Sequence, residues 1–106
     1  MNFTDILFKS IQVLGDNAFK SNNNVDLFLS IRLMMGFMEN FRDQIDSFIP
    51  NVLEILIEVM RTERAPHLKG ILVGAFSIAI LYNPKMFIQF WESKGHEAKV
   101  QFFSWY

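Results

Sequence analysis

Two glutamates, Glu54 and Glu58, are four residues apart and would lie on one face of a helix that contains them. Paired carboxylates at this spacing can hold a metal ion or act as general acid and base. Metal sites in helical bundles, however, add a Glu-x-x-His motif from facing helices, and neither His67 nor His96 stands in such a motif. The pattern therefore favours a solvated polar face, with Arg61 one turn beyond Glu58.

Other candidate chemistry in the sequence is equally incomplete. Glu92 and His96 are also four apart, but Gly95 predicts a helix break between them. The chain has no cysteine, and its serines lack the glycine pattern of a nucleophile elbow. The segment Gly70-x-x-x-Gly74 lacks the lysine of a phosphate-binding loop and instead favours close helix contact. We interpret His67 as a surface residue and expect no enzyme, cofactor or metal site.

Composition narrows the classes of partner. The chain of 106 residues is 51% hydrophobic, and its ten basic and eleven acidic residues are scattered. A nucleic-acid binder needs a concentrated basic face, so we expect no nucleic-acid partner. A membrane-spanning helix needs about twenty apolar residues, whereas the uncharged run between Lys69 and Lys85 is interrupted by Pro84. We therefore expect one domain without membrane insertion. Trp91 and Trp105 could stack on bases or sugars, but packing in an aromatic core or between repeats is favoured.

The periodicity of apolar residues predicts an all-α fold. No stretch alternates at period two, and Asn-Gly and Asp-Gly hairpin turns are absent. Thr4 and Asn83 are predicted helix caps, and Gly95 a left-handed helix terminator. Three prolines, each tolerated in a first helical turn, mark further starts. These signals predict about six antiparallel helices, over residues 4–19, 25–42, 47–62, 66–82, 84–94 and 97–106.

The helix starts recur with a period. Starts near residues 4, 45 and 84 are about forty residues apart, and those near 25, 66 and 97 lie between them, which is the spacing of an α-solenoid repeat. A non-repetitive helical bundle would give the same helix count. We favour the solenoid, and thus an α-α superhelix built of HEAT-type repeats, with residues 1–106 as one segment of a longer array.

Two helices are predicted to be largely buried. In 50–61, apolar residues leave one narrow polar stripe, formed by Asn51, Glu54, Glu58 and Arg61. In 66–82, Ser77 is the only polar residue after Lys69. A small domain rarely buries two such helices, so we expect flanking repeats of the same kind to cover them, and the aromatic segment 102–106 to continue into the array.

Two stretches resemble a known family. The sequence Asp46-Ser47-Phe48-Ile49-Pro50 before an apolar helix resembles the second helix of a HEAT repeat. Leu81-Tyr82-Asn83-Pro84, followed by Phe87, Phe90, Trp91 and Gly95 and then by Phe102-Phe103-x-Trp105-Tyr106, is similar to a C-terminal stretch of the importin-β superfamily. The nearest group is the large importins that carry ribosomal proteins and histones. The resemblance runs from about Val25 to the end and is strongest over 71–106.

The resemblance implies a non-catalytic nuclear transport receptor that shuttles between cytoplasm and nucleus through nuclear pores. Such receptors bind protein cargo on a concave surface, bind nucleoporin Phe-Gly repeats in apolar grooves and are regulated by the GTPase Ran. The family's principal Ran-binding region lies in N-terminal repeats without a counterpart here, so the segment is expected to contribute cargo contact and superhelix shape. Its candidate partner-binding residues are Asn51, Glu54, Glu58 and Arg61, whose two carboxylates would suit a basic cargo.

Two alternatives to this function stay open on the sequence. The first is another HEAT-repeat scaffold, such as an assembly or phosphatase subunit, with the same helices and a different partner. The second is a small self-contained helical domain that dimerises through the end from Phe102 to Tyr106.

Overall fold

A computed structural model describes residues 3–41, 44–62 and 66–106, with the backbone alone for Pro66 and His67. Over these ranges the chain forms six α-helices and no strand, so the predicted all-α class is confirmed. The helices are α1 (Phe3–Lys20), α2 (Asn24–Asn40), α3 (Ile49–Thr62), α4 (Pro66–Tyr82), α5 (Pro84–Lys94) and α6 (His96–Trp105), and a 3₁₀ turn, Asp46–Phe48, precedes α3. Predicted and observed bounds agree within two residues, except that Arg42, the predicted end of the second helix, lies outside the described residues.

The polar run between α1 and α2 both ends one helix and begins the next. Asn22 adopts a left-handed φ of 59°, and the Asn23 N–H donates to the carbonyl oxygen of Ala18 at 2.9 Å, as in a Schellman motif. Asn23 then caps α2, because its side-chain oxygen accepts from the Asp26 N–H at 3.1 Å. Asn23 therefore satisfies backbone groups at two helix ends.

Of the two predicted helix caps, Thr4 was wrong, and Asn83 is confirmed in its N-cap position but without a side-chain capping bond. Thr4 lies inside the first turn of α1, where its hydroxyl donates to the Gln44 side-chain oxygen at 3.3 Å. Asn83 does stand at the start of α5, but its amide donates to Asp46 at 2.7 Å and makes no capping bond. Both residues are buried, and each donates a hydrogen bond to a residue outside its own helix, while the side-chain oxygen of Asn83 has no hydrogen-bond partner among the described residues.

Gly95 ends α5 as predicted, but not in the predicted conformation. Its φ of 90° and ψ of 170° are extended with positive φ, whereas a left-handed terminator has ψ near 47°. This region is open essentially to glycine alone, because any Cβ would clash with the backbone. The short α5–α6 connection therefore depends on a residue without a side chain.

The helices are stacked so that each packs on its neighbour in sequence or on the next but one. The main helix contacts are α1 with α2, α2 with α4, α3 with α4 and α5, and α5 with α4 and α6. The molecule measures 36 × 32 × 18 Å, and the shortest dimension is about two helix diameters. The fold is thus a slab of two helical layers.

A close α2–α4 contact occurs at Gly74. A Cβ built on Gly74 would lie 3.2 Å from the terminal methyl of Met35, which is tighter than ordinary van der Waals contact. A Cβ built on Gly70 would have no such neighbour within 4 Å. Of the two glycines that were expected to favour close helix contact, only Gly74 therefore does so.

The C-terminal helices cover much of α4, the more apolar of the two helices that were expected to be buried, although Leu81 stays exposed. In α4, Phe76 is fully buried and meets Phe102 of α6 with ring centroids 4.8 Å apart. The ring of Trp105 packs edge-on against the ring of Phe76, with centroids 5.7 Å apart. The rings of Trp91 in α5 and Phe102 are in contact, with centroids 4.7 Å apart. Phe102 and Trp105 of α6 therefore pack onto α4 and α5, while Phe103 is exposed.

No single helix in the described ranges has the length and apolar character needed to cross a membrane. The segments Leu68–Tyr82 and Pro84–Lys94 reach that length and composition together, but they are bent by 112° at Asn83.

Candidate protein-binding surface

The polar stripe of α3 is exposed in the structure. Asn51, Glu54, Glu58 and Arg61 all face solvent, spaced three, four and three residues apart along the helix. The opposite side of α3 is buried against α4 and α5. The structure therefore brings all four predicted residues to one accessible face, between α1 on one side and α5 on the other.

One carboxylate of the stripe is engaged by another helix. Glu54 forms an ion pair with Lys94 at the end of α5, and the Lys94 ammonium also lies 5.1 Å above the ring of Phe90. Both charged side chains are substantially exposed, so the pair contributes only about 0–1 kcal/mol to stability. Its main effect is to offset the charge of Glu54 at the surface.

A narrow cleft runs beside this ion pair, where α3 meets α5 and α6. Its volume is about 60 Å³, enough for one or two water molecules. Arg61 and Gln101 supply polar groups at its edge, and the body of Trp91 forms part of its wall. The remaining lining residues are Glu54, Ile57, Met60, Lys94 and Ala98.

A wider cleft lies on the other side of α3, against α1. Its volume is about 250 Å³. Asp16, Lys20 and Glu58 supply its charged groups, and because Lys20 offsets one carboxylate, the cleft carries an excess of negative charge. Its apolar lining comes from Gly15, Phe19, Leu27, Ile55 and Val59. An apolar wall with carboxylates beside it can accept a long basic side chain, whose stem packs while its charge stays in water.

The candidate metal and acid–base arrangements are not assembled in the described part of the chain. No three His, Asp or Glu side chains lie close enough there to hold a metal ion. Glu54 is directed to Lys94. Gly95 separates Glu92 on α5 from His96 at the start of α6. The side chain of His67, considered as a general base, lies outside the described residues.

The tryptophans belong to the core. Trp91 is 4% exposed, and Trp105 is partly buried with the Lys69 ammonium 5.3 Å from its ring. The segment 102–106 is likewise packed: Phe102 is fully buried, and the Tyr106 and Ser77 hydroxyls are hydrogen bonded at 2.5 Å. Only Phe103 and Tyr106 of this segment offer exposed aromatic surface.

Three charged residues of this surface were missed at the sequence level. Lys94, Asp16 and Lys20 lie on helices other than α3, and no local spacing connects them to the stripe. The repeat period does contain a signal, because Glu54 and Lys94 are 40 residues apart, as are the hydrogen-bonded Thr4 and Gln44. Adding one period to a stripe residue would have pointed to its partner on the next helix of the same layer.

No protein-family model, curated protein or solved structure matches this chain.

Proposed function

We propose that this chain is a non-catalytic, protein-binding segment of an importin-type nuclear transport receptor, and that the exposed face of α3 contributes to the binding of a basic protein cargo. The observation that carries the proposal is the stacking of helices on their next-but-one neighbours, α2 on α4 and α3 on α5, as in a HEAT-type array. The resemblance of residues 71–106 to importin C-terminal repeats supplies the family.

The charges around α3 support a basic partner. The charge of Glu54 is offset by Lys94, so Glu58 and Asp16 provide the negative charge beside the 250 Å³ cleft. Opposite charges across an interface raise the association rate and discriminate against partners of like charge. In the proposed receptor, Asn51 and Arg61 add hydrogen bonds at the two ends of the stripe.

Isothermal titration calorimetry of the chain with a purified core histone tests the cargo site. We expect binding that weakens with added salt, and a roughly tenfold weaker affinity for Glu58→Lys, since a repulsive charge replaces an attractive one. Glu92→Lys, at an exposed carboxylate of α5, makes the same charge change elsewhere and is expected to bind nearly as the parent does. Equal losses in both variants would mean that net charge, and not this face, controls binding.

A second measurement separates a transport receptor from another HEAT-repeat scaffold. The full-length protein is expected to bind nucleoporin Phe-Gly repeats and to release its basic cargo on addition of Ran loaded with GTP. A scaffold of an assembly or phosphatase complex would do neither. The absence of both responses would remove the importin assignment while leaving the helical-repeat architecture unaffected.

A further inference from the structure

A large apolar surface on α1 and α2 faces away from the rest of the molecule. Between the two helices runs a groove of about 490 Å³, in which Arg32 is the single charged lining residue. The other lining residues are Leu7, Ser10, Ile11, Leu14, Leu33, Gly36, Phe37, Asn40 and Phe41. Ile6 and Val13, with the exposed Lys9 between them, extend the surface along α1, and Leu29 extends it along α2. We call this surface, groove included, the α1–α2 face.

The exposed large hydrophobic residues elsewhere in the described surface are spread over α4, α5, α6 and the residue after it, namely Leu81, Ile88, Val100, Phe103 and Tyr106. Of the twelve such residues in the whole described surface, three belong to α1 and four to α2. At the opposite end of the slab, the exposed Val100 and Phe103 of α6 are interspersed with the exposed polar residues His96, Glu97 and Ser104. The surface of this chain that best complements the α1–α2 face is therefore another copy of the same face.

The charged residues of α2 are self-complementary. Arg32 and Glu39 are exposed and lie four residues before and three residues after Gly36, along the same side of the helix. If two α2 helices cross antiparallel at Gly36, Arg32 of each copy meets Glu39 of the other. Gly36 has open space where a Cβ would project, so the two helices can approach closely.

The area of the face reaches the lower end of the range for specific interfaces. With 18 and 17 residues, α1 and α2 are each about 25 Å long, and side by side they are about 20 Å wide. Pairing two such faces would bury roughly 1,000 Å² in total, the lower bound for a specific protein–protein contact.

From these observations we propose that the chain forms a two-fold symmetric homodimer through the α1–α2 face, with the two α2 helices antiparallel about Gly36. The inference does not involve the cargo site on α3, and it concerns the 106-residue chain alone, because in a longer array a preceding repeat would stack on this same face. An isologous contact of this kind uses one patch on both subunits and closes after two copies, so it limits assembly to a dimer.

Sedimentation equilibrium of the 106-residue chain at about 1–100 µM tests the proposal. We expect twice the monomer mass, and an increase of about tenfold or more in the dissociation constant for Leu33→Glu, because an unpaired charge enters the interface. Leu33 is exposed, so the helical circular dichroism should not change. Phe103→Glu places the same charge at an exposed hydrophobic residue of α6 and should leave the dimer intact. A monomer at every concentration, or dissociation by Phe103→Glu instead of Leu33→Glu, would overturn the proposal.

A charge exchange tests the antiparallel crossing itself. Arg32→Glu and Glu39→Arg should each weaken the dimer by about fivefold, because like charges then meet across the two-fold axis. The double variant restores opposite charges and is expected to return to within about twofold of the parent. Additive weakening in the double variant would contradict the proposed crossing at Gly36.

Discussion

Single residues decide the conformation of the connections in this fold. Gly95 combines a φ of 90° with a ψ of 170°, and it joins α5 to α6 without an intervening loop. By contrast, Gly70 lies in α4 with helical backbone and open space around its Cα. Only Gly95 has a backbone conformation that requires glycine, so replacement by alanine should have opposite effects on stability at the two positions.

We expect Gly95→Ala to lower the free energy of unfolding by about 1–3 kcal/mol, because alanine must adopt a strained backbone conformation or displace α6. Gly70→Ala should raise it by about 0.5–1 kcal/mol, since alanine favours the helix and reduces the entropy of the unfolded chain. Urea unfolding monitored by circular dichroism measures both. A stabilising effect of Gly95→Ala would show that this connection tolerates a Cβ.

Among the helix ends, the α1–α2 connection depends on asparagine side chains. Asn23→Ala removes the bond from its side-chain oxygen to the Asp26 N–H and should cost about 0.5–2 kcal/mol. Asn17→Ala, within α1 and exposed, provides the control: it should be neutral or stabilising by up to about 0.7 kcal/mol, because alanine is the better helix former. Thermal unfolding of both variants gives the comparison, and equal destabilisation would argue against the cap.

At the scale of the helix, the sequence predicted where elements begin and end but not always what their end residues contact. Pro84 fixes the start of α5 through its own covalent geometry, so its position is readable locally. Asn83 has the right residue type for a cap, yet its amide binds Asp46, 37 residues earlier in the chain. Whether such a side chain bonds to a local or a distant partner depends on how the helices pack, and the local residue pattern carries no information about that packing.

The same limit explains the outcome for the candidate surface. The exposed side of α3 follows from the three- and four-residue spacing of its polar residues and was predicted correctly. Its ion pair with Lys94 depends on how α5 lies against α3. The burial of α4 was predicted, but its covering by α6 was not, because nothing local to 102–106 indicates that Phe102 packs on Phe76.

For the whole molecule, burial is uneven across the six helices. α4 packs against α2, α3 and α5, and α6 reaches it through Phe102. Most of the helix packing of α1 is against α2, and the other face of this pair is open to solvent. The centre of the slab should therefore be more resistant to local opening than its α1 edge.

Native-state hydrogen exchange should show this gradient. We expect the slowest amides in α3 and α4, opening only with global unfolding, and faster exchange in α1. The experiment belongs at a protein concentration below any self-association, because dimerisation through α1 and α2 would protect α1. Exchange in α4 as fast as in the first turn of α1 would contradict the assigned core.

The position of the two tryptophans has a spectroscopic consequence. Trp91 and Trp105, the only tryptophans in the sequence, both lie in the aromatic cluster formed by α4, α5 and α6. Their fluorescence therefore reports on α4, α5 and α6 and not on the α1–α2 hairpin. Quenching of the tryptophan fluorescence by iodide or acrylamide will report the loosening of this aromatic cluster. If the unfolding midpoint from quenching differs from the midpoint from far-ultraviolet ellipticity, the α1–α2 hairpin unfolds separately.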